Sequence, residues 1–155
     1  MNAIDLLKQD HATIKELLGE LAETTPRAIK KRTELLDKIK VALKTHTTIE
    51  EEIFYPALRK AGNHKDDDKM YFEALEEHRA AGDLVLPDLL KTEPASEKFS
   101  GRAKVLKELT EHHVEEEETE MFKRAKALLD KATLEQLGEQ LAQRKAELKK
   151  QAGKA

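Results

Sequence analysis

The chain is expected to be all-α: four helices forming two hairpins, followed by a fifth, C-terminal helix. Three observations carry this. No stretch alternates apolar and polar residues as a half-buried strand would, whereas apolar residues recur at helical spacing along most of the 155 residues. Breaks at Thr24-Thr25-Pro26, Ala61-Gly62-Asn63-His64 and Glu93-Pro94-Ala95-Ser96 divide that pattern into long segments. Four of the six histidines obey one internal repeat: His11 to His46 and His78 to His113 are each 35 positions, and His11 to His78 and His46 to His113 are each 67.

The first helix is expected from about Ala3 to Glu23, with Ile4, Leu7, His11, Ile14 and Leu18 on one face and Ala22 following. Pro26 suits the first position of the second helix, which runs to about Lys60 with Ile39, Ala42, Leu43, His46, Ile49, Glu50 and Ile53 inward. Pro56 deletes one backbone bond, so a kink is expected in the last turn, beyond His46 and Glu50. Gly62 or Asn63 is expected as a left-handed cap.

Asp66, Asp67 and Asp68 place negative charge at the start of the third helix, which reaches about Lys91. Its inward face reads Tyr71, Ala74, Leu75, His78, Ala81, Gly82, Val85 and Leu89, and Pro87 should bend its far end. The fourth helix runs to about Asp130 with Leu106, Leu109, His113 and Glu117 pointing one way. Thr133 and Gln136 resemble a capping box opening a fifth helix, about Leu134 to Lys150. Its Leu134, Leu137, Leu141 and Leu148 should lie along the outside of the bundle, and residues Gln151 to Ala155 should fray. The expected organisation is one domain over 1–155, with the bundle at about 3–130 and the last helix at about 134–150.

Composition narrows the function. Aromatic residues are 4% with no Trp, and net charge is −3, so stacking platforms and basic faces for nucleic acid are not expected. No cysteine is present, which excludes disulfides, thiolate metal sites, iron–sulfur ligation and thiol catalysis, and fits a cytoplasmic protein. Residues Met1 to Asp5 have no basic region and no apolar run, so no signal peptide is expected, and no stretch approaches the ~20 apolar residues of a membrane span.

The chemistry gathers around the histidines. His46 stands four positions before Glu50, and His113 four before Glu117. Residues so spaced lie one above the other on a helix face, so an imidazole and a carboxylate can reach one point. His11 and His78 stand alone on the other two helices. Four imidazoles and two carboxylates in one layer of a small core would leave several polar groups unpaired, each costing about 1–3 kcal/mol. A metal removes that penalty. Zinc sites usually take four ligands on one ion, whereas imidazole and carboxylate together suit iron and manganese. Carboxylates can bridge, so the set makes a two-metal centre: two His on each ion, both Glu shared, and room left for solvent or a small molecule. Asp10 and Glu77 each precede a lone His and are candidate hydrogen-bond partners of the ligands. His64 and His112 fall outside the repeat and read as surface residues. Glu116 and Glu120 take the places of Ile49 and Ile53, for which the sequence offers no reason.

The Glu-x-x-His spacing of ferritin-like di-iron proteins does not occur here. Asp10-His11, His46-x-x-x-Glu50-Glu51 with Tyr55-Pro56, Glu77-His78, and His113-x-x-x-Glu117-Glu118 with Phe122 resemble the hemerythrin-like (HHE cation-binding) family, over about Ile4 to Leu129. The resemblance implies an up-and-down four-helix bundle holding two iron ions in a non-haem centre that handles O2, NO or peroxide. Manganese or zinc fits less well. It implies His11, His46, Glu50, His78, His113 and Glu117 as ligands, with the two Glu bridging. Oxygen carriers of the family have a fifth histidine one turn before the residue matching His78. Ala74 stands there, which favours turnover or sensing over reversible oxygen carriage and implies two similar ions with space beside them. Lys123 stands where the repeat would have a proline like Pro56. Two alternatives have no redox turnover: an iron storage or donor protein, and a bundle with a purely structural metal. The expected partner is a small diatomic or peroxide ligand, with no nucleic acid and no membrane.

Overall fold

The computed structural model describes residues 1–62 and 64–154, and every regular element among them is helical. Helix α1 spans Ala3–Ala22 and is opened by Asn2, whose side chain accepts the Asp5 N–H at 2.9 Å. Helix α2 (Ile29–Ile49) passes through a π-helical turn, Glu50–Phe54, into α3 (Tyr55–Ala61). Helix α4 (Lys65–His78) passes through a π segment, Arg79–Val85, into α5 (Leu86–Leu90). Helix α6 (Glu97–Glu116) passes through a π turn, Glu117–Met121, into α7 (Phe122–Leu128). Four long rods therefore run up and down, and α8 (Lys131–Lys154) packs outside them against α1, α2 and the Glu50–Phe54 turn.

The π turns correct the expected kink. The Tyr55 N–H bonds the Glu50 carbonyl, five residues back, so the irregularity begins at Glu50 itself and not beyond it. Phe122 N–H bonds the Glu117 carbonyl in the same way, although Lys123 replaces the proline. The proline is thus not the cause. Pro56 and Pro87 each sit in the first helical turn after a π segment, where the missing N–H costs little. A π turn puts residue i+5, not i+4, over residue i, which brings Tyr55 under Glu50 and Phe122 under Glu117.

Four termini also differ from expectation. Pro26 lies in a turn closed by the Ala28 N–H on the Thr25 carbonyl at 2.9 Å, and α2 starts only at Ile29. Gly62 ends α3 in extended backbone, φ −78°, so it is not a left-handed cap, and Asn63 lies outside the described residues. Gly62 is needed for space: a Cβ there would come within 2.8 Å of Asp67 Oδ2. Helix α8 starts three residues earlier than expected, because Asp130 rather than Thr133 is its cap and accepts the Thr133 N–H at 2.8 Å. The helix then holds through Lys154, without the expected fraying, and Ala155 lies outside the described residues.

Two apolar clusters fill the interior, one on either side of a polar layer. The first joins Ile4, Leu7, Phe54, Tyr55, Leu58 and Phe122 to Leu134, Leu137 and Leu141 of α8. The second contains Ile14, Leu18, Leu35, Ile39, Leu89, Phe99 and Leu106. Its end is clamped by Arg32, only 1% exposed, which donates to the Thr24, Pro94 and Ser96 carbonyls and to the Thr24 and Ser100 hydroxyls. Its guanidinium lies over the Phe99 ring at 4.8 Å. Each lone or paired histidine falls where its helix crosses from one cluster to the other.

Candidate metal centre

The six expected donors meet in that polar layer. His11, His46, Glu50 and Glu117 form one group and Glu50, His78, His113 and Glu117 a second, all buried, with the donor atoms of each group within 4.8 Å of one another. Glu50 and Glu117 belong to both. His11 Nε2 lies 3.0 Å from Glu117 Oε1, His46 Nε2 3.1 Å and His78 Nε2 3.2 Å from Glu50 Oε1, and His113 Nε2 3.2 Å from Glu117 Oε2.

Closeness here is not pairing. His11 Nε2, His46 Nε2, Glu50 Oε2 and Glu117 Oε1 are buried without a hydrogen-bond partner. Donors drawn together yet out of hydrogen-bond geometry are converging on a common point, and orphaned buried groups of this kind are costly unless something takes their lone pairs. The donor set, two nitrogens and two shared carboxylates per group, fits a pair of cations.

The far nitrogen of every imidazole is held by an acid on another helix. His46 Nδ1 bonds Asp10 at 2.9 Å and His113 Nδ1 bonds Glu77 at 2.7 Å. His11 Nδ1 bonds Glu118 at 2.7 Å and His78 Nδ1 bonds Glu51 at 2.8 Å. Each Nδ1–H donated outward turns Nε2 inward, which fixes tautomer and ring direction. Asp10 and Glu77 do not serve the histidine next to them in sequence. Adjacent helical side chains diverge by about 100°, so the acid meets the imidazole of the neighbouring rod. Glu51 and Glu118 were not assigned a role from sequence. Their signal was the repeat, since they too lie 67 positions apart.

Electrostatics follow the geometry. Burial lowers His46, but Glu50 and Asp10 outweigh it and hold its imidazole at about 10. His78 and His113 are likewise raised by their carboxylates against burial. Burial raises Glu117, but its hydrogen bonds and the nearby histidines win and hold it well below the usual range. Lys145 of α8 reaches Asp10, so the fifth helix joins this network, and Arg144 adds a pair with Glu52 at 2.8 Å.

Tyr55 is the third residue whose role the sequence alone does not give. Its hydroxyl donates to Glu117 Oε2 at 2.5 Å and stands 3.2 Å from His78 Nε2 and 3.4 Å from His113 Nε2. Burial raises the phenol well above its ordinary value and both glutamates push the same way, so it stays a donor. Phe122, its counterpart in the repeat, stacks on His11 at 5.7 Å with the rings 4° apart. The two groups therefore have the same donor set, two His and both Glu, and differ in the aromatic residue beside it. Ala74 does border a small cavity, which it lines with His113 and Glu117. It is buried in the cluster that contains Tyr55, while Ala81 and Gly82 line a small cavity against the four imidazoles.

His64 and His112 are exposed, as expected. Glu116 lies at the rim, bonded by Glu77, which with burial and Glu73 raises its carboxyl to about 8. His112 pairs with it at 3.0 Å. A partly exposed edge explains why an acid can stand in the place of Ile49. Among the described residues no helix is long and apolar enough to cross a membrane.

Comparison with known proteins agrees with this geometry. The model of the Hemerythrin HHE cation binding domain matches residues 2–125. The protein Rv2633c of Mycobacterium tuberculosis (strain ATCC 25618 / H37Rv) is 31% identical over 150 residues, covering 96% of this chain and 88% of that protein. The crystal structure of a Hemerythrin HHE cation binding domain-containing protein, the Rv2633c homolog from Mycobacterium kansasii, superposes with a TM-score of 0.82 at 31% identity, over 96% of this chain and 87% of that one. A DNA nickase of Nostoc sp. is 26% identical over 154 residues, which cover 99% of this chain and 42% of that protein.

Proposed function

Because the chain belongs to the hemerythrin HHE cation-binding family, we propose that its polar layer holds two iron ions and offers them to a small oxidant: O2, NO or peroxide. In this reading His11 and His46 hold one ion, His78 and His113 the other, and Glu50 and Glu117 bridge. The observation that carries it is that the two four-donor groups share both glutamates. Iron, when bound, supplies one-electron chemistry and open coordination positions.

The chain's own residues supply the rest. Asp10, Glu51, Glu77 and Glu118 aim the imidazoles. Tyr55 keeps a proton on its oxygen against Glu117, at the His78/His113 half only. Apolar clusters on both sides of the layer keep bulk water away, which strengthens every charge interaction within it. Metal analysis with an optical spectrum taken before and after air tests this. Iron with an oxidant-dependent charge-transfer band supports it, and a colourless protein loaded only with zinc would refute it.

A further inference from the structure

A groove of about 260 Å³ lies on the surface beside the Arg79–Val85 π segment, with Lys40, Lys44 and Arg79 at its rim against Glu51 and Asp83. Glu51 is already engaged by His78. A separate inner cavity of about 20 Å³ lies against His11, His46, His78 and His113. The two share four lining residues: Leu43, Thr47, His78 and Gly82. An inner volume of that size excludes all but a molecule of a few atoms.

Two residues on this path lack a packing reason. Gly82 lies inside a helical segment, where glycine is unfavourable relative to alanine, yet a Cβ built there meets nothing within 4 Å. No neighbour forbids a side chain here, and Gly82 borders both the groove and the inner cavity. Its counterpart in the repeat is Lys15, exposed on α1. Thr110 lines the inner cavity where the repeat has Leu43, and it is 4% exposed. Its hydroxyl has no hydrogen-bond partner. A buried hydroxyl in place of an apolar side chain, facing a cavity, is a donor waiting for an acceptor.

We propose that this groove is the way in for the small ligand of the buried centre, with Gly82 as its gate and the Thr110 hydroxyl as the hydrogen-bond donor that seats the ligand. The proposal rests on the di-iron reading above. The passage admits a ligand of two or three heavy atoms, neutral or singly anionic, and excludes an organic substrate.

Azide is the probe. Stopped-flow association with the iron-loaded ferric protein should slow by about tenfold or more in Gly82→Leu, and less in Gly82→Ala, with iron content, melting temperature and final absorption band unchanged. Thr110→Val should leave association alone and speed dissociation about fivefold, the size of one neutral hydrogen bond. A metal-independent arm uses the absence of cysteine. In metal-free Thr110→Cys protein, oxidation of the single thiol to the sulfenic acid by hydrogen peroxide, a reagent of two heavy atoms, should slow about tenfold when Gly82→Leu is added. If Gly82→Leu fails to fold, Gly82→Ala and Gly82→Val carry the same comparison. Association within about twofold of wild type across this series, or thiol modification indifferent to position 82, overturns the proposal. A wild-type chain that takes up no iron would sink the di-iron reading instead, and the thiol comparison would still decide the passage.

Discussion

Tyr55 and Phe122 occupy the same place in the internal repeat, 67 positions apart, yet only Tyr55 brings a hydroxyl to the shared carboxylates. Each follows a π turn that starts at a glutamate, and each is buried against an imidazole. One oxygen atom thus distinguishes the two halves at the shared carboxylates.

Tyr55→Phe should make the halves more equal. Mössbauer spectra of the iron-loaded ferric protein should show two distinct iron environments in wild type and more similar ones in the variant, at equal iron content. The metal-free variant should lose about 1.5–3 kcal/mol of stability, the range for a hydrogen bond to a charged group. Identical spectra for the two proteins would remove Tyr55 from any role at the centre.

Metal removal should weaken the fold. The chain gathers four imidazoles and two glutamates whose inward atoms are partly orphaned, so a ligand that satisfies them binds only the native state. At a hundredfold excess over its dissociation constant such a ligand adds about 2.7 kcal/mol. The chelated protein should therefore melt well below the loaded one, and equal melting temperatures by calorimetry would argue against a metal site.

Lys145 should matter to the His11/His46 half more than to the other. It reaches the buried Asp10, which in turn aims His46. Lys145→Met leaves that carboxylate without its ammonium, a loss of about 1–3 kcal/mol once the partial exposure of the lysine is discounted. In a timed chelator competition one of the two ions should leave sooner, while Lys145→Arg should restore the wild-type course. Uniform loss of both ions from Lys145→Met would show that α8 stabilises the fold without tuning one half.

Arg32 should be a stability residue with no effect on metal. Arg32→Ala would strand several turn carbonyls and open a cavity beside Phe99, at a cost of at least about 3 kcal/mol by chemical denaturation. Arg32→Lys should not rescue it, because one ammonium cannot reach the carbonyls of both turns in the way a planar fork does. Metal content per folded chain should stay unchanged.

The rods and the six donors were legible because both follow helical spacing, which the histidine repeat exposes directly. Glu51, Glu118 and Tyr55 were legible only as members of the family motif, and their contacts were not, for two physical reasons. Contacts between rods depend on rotation about each helix axis, which spacing within one helix does not give. The π turns then add a residue per turn at Glu50 and Glu117, so a reading at 3.6 residues per turn puts Tyr55 and Phe122 off the inward face. Proline is the usual signal for such a break, but the turn at Lys123 shows that it can form without one. The ends were misread where two capping residues competed, as with Asp130 and Thr133.

The most direct test of the two-ion centre is iron content per chain in wild type and in Glu50→Ala and Glu117→Ala, measured on protein shown by circular dichroism to be folded. Each glutamate belongs to both four-donor groups. The account predicts about two iron ions per wild-type chain and loss of both from either variant. A variant that keeps both ions, or that loses only one while the other stays tightly held, would contradict it.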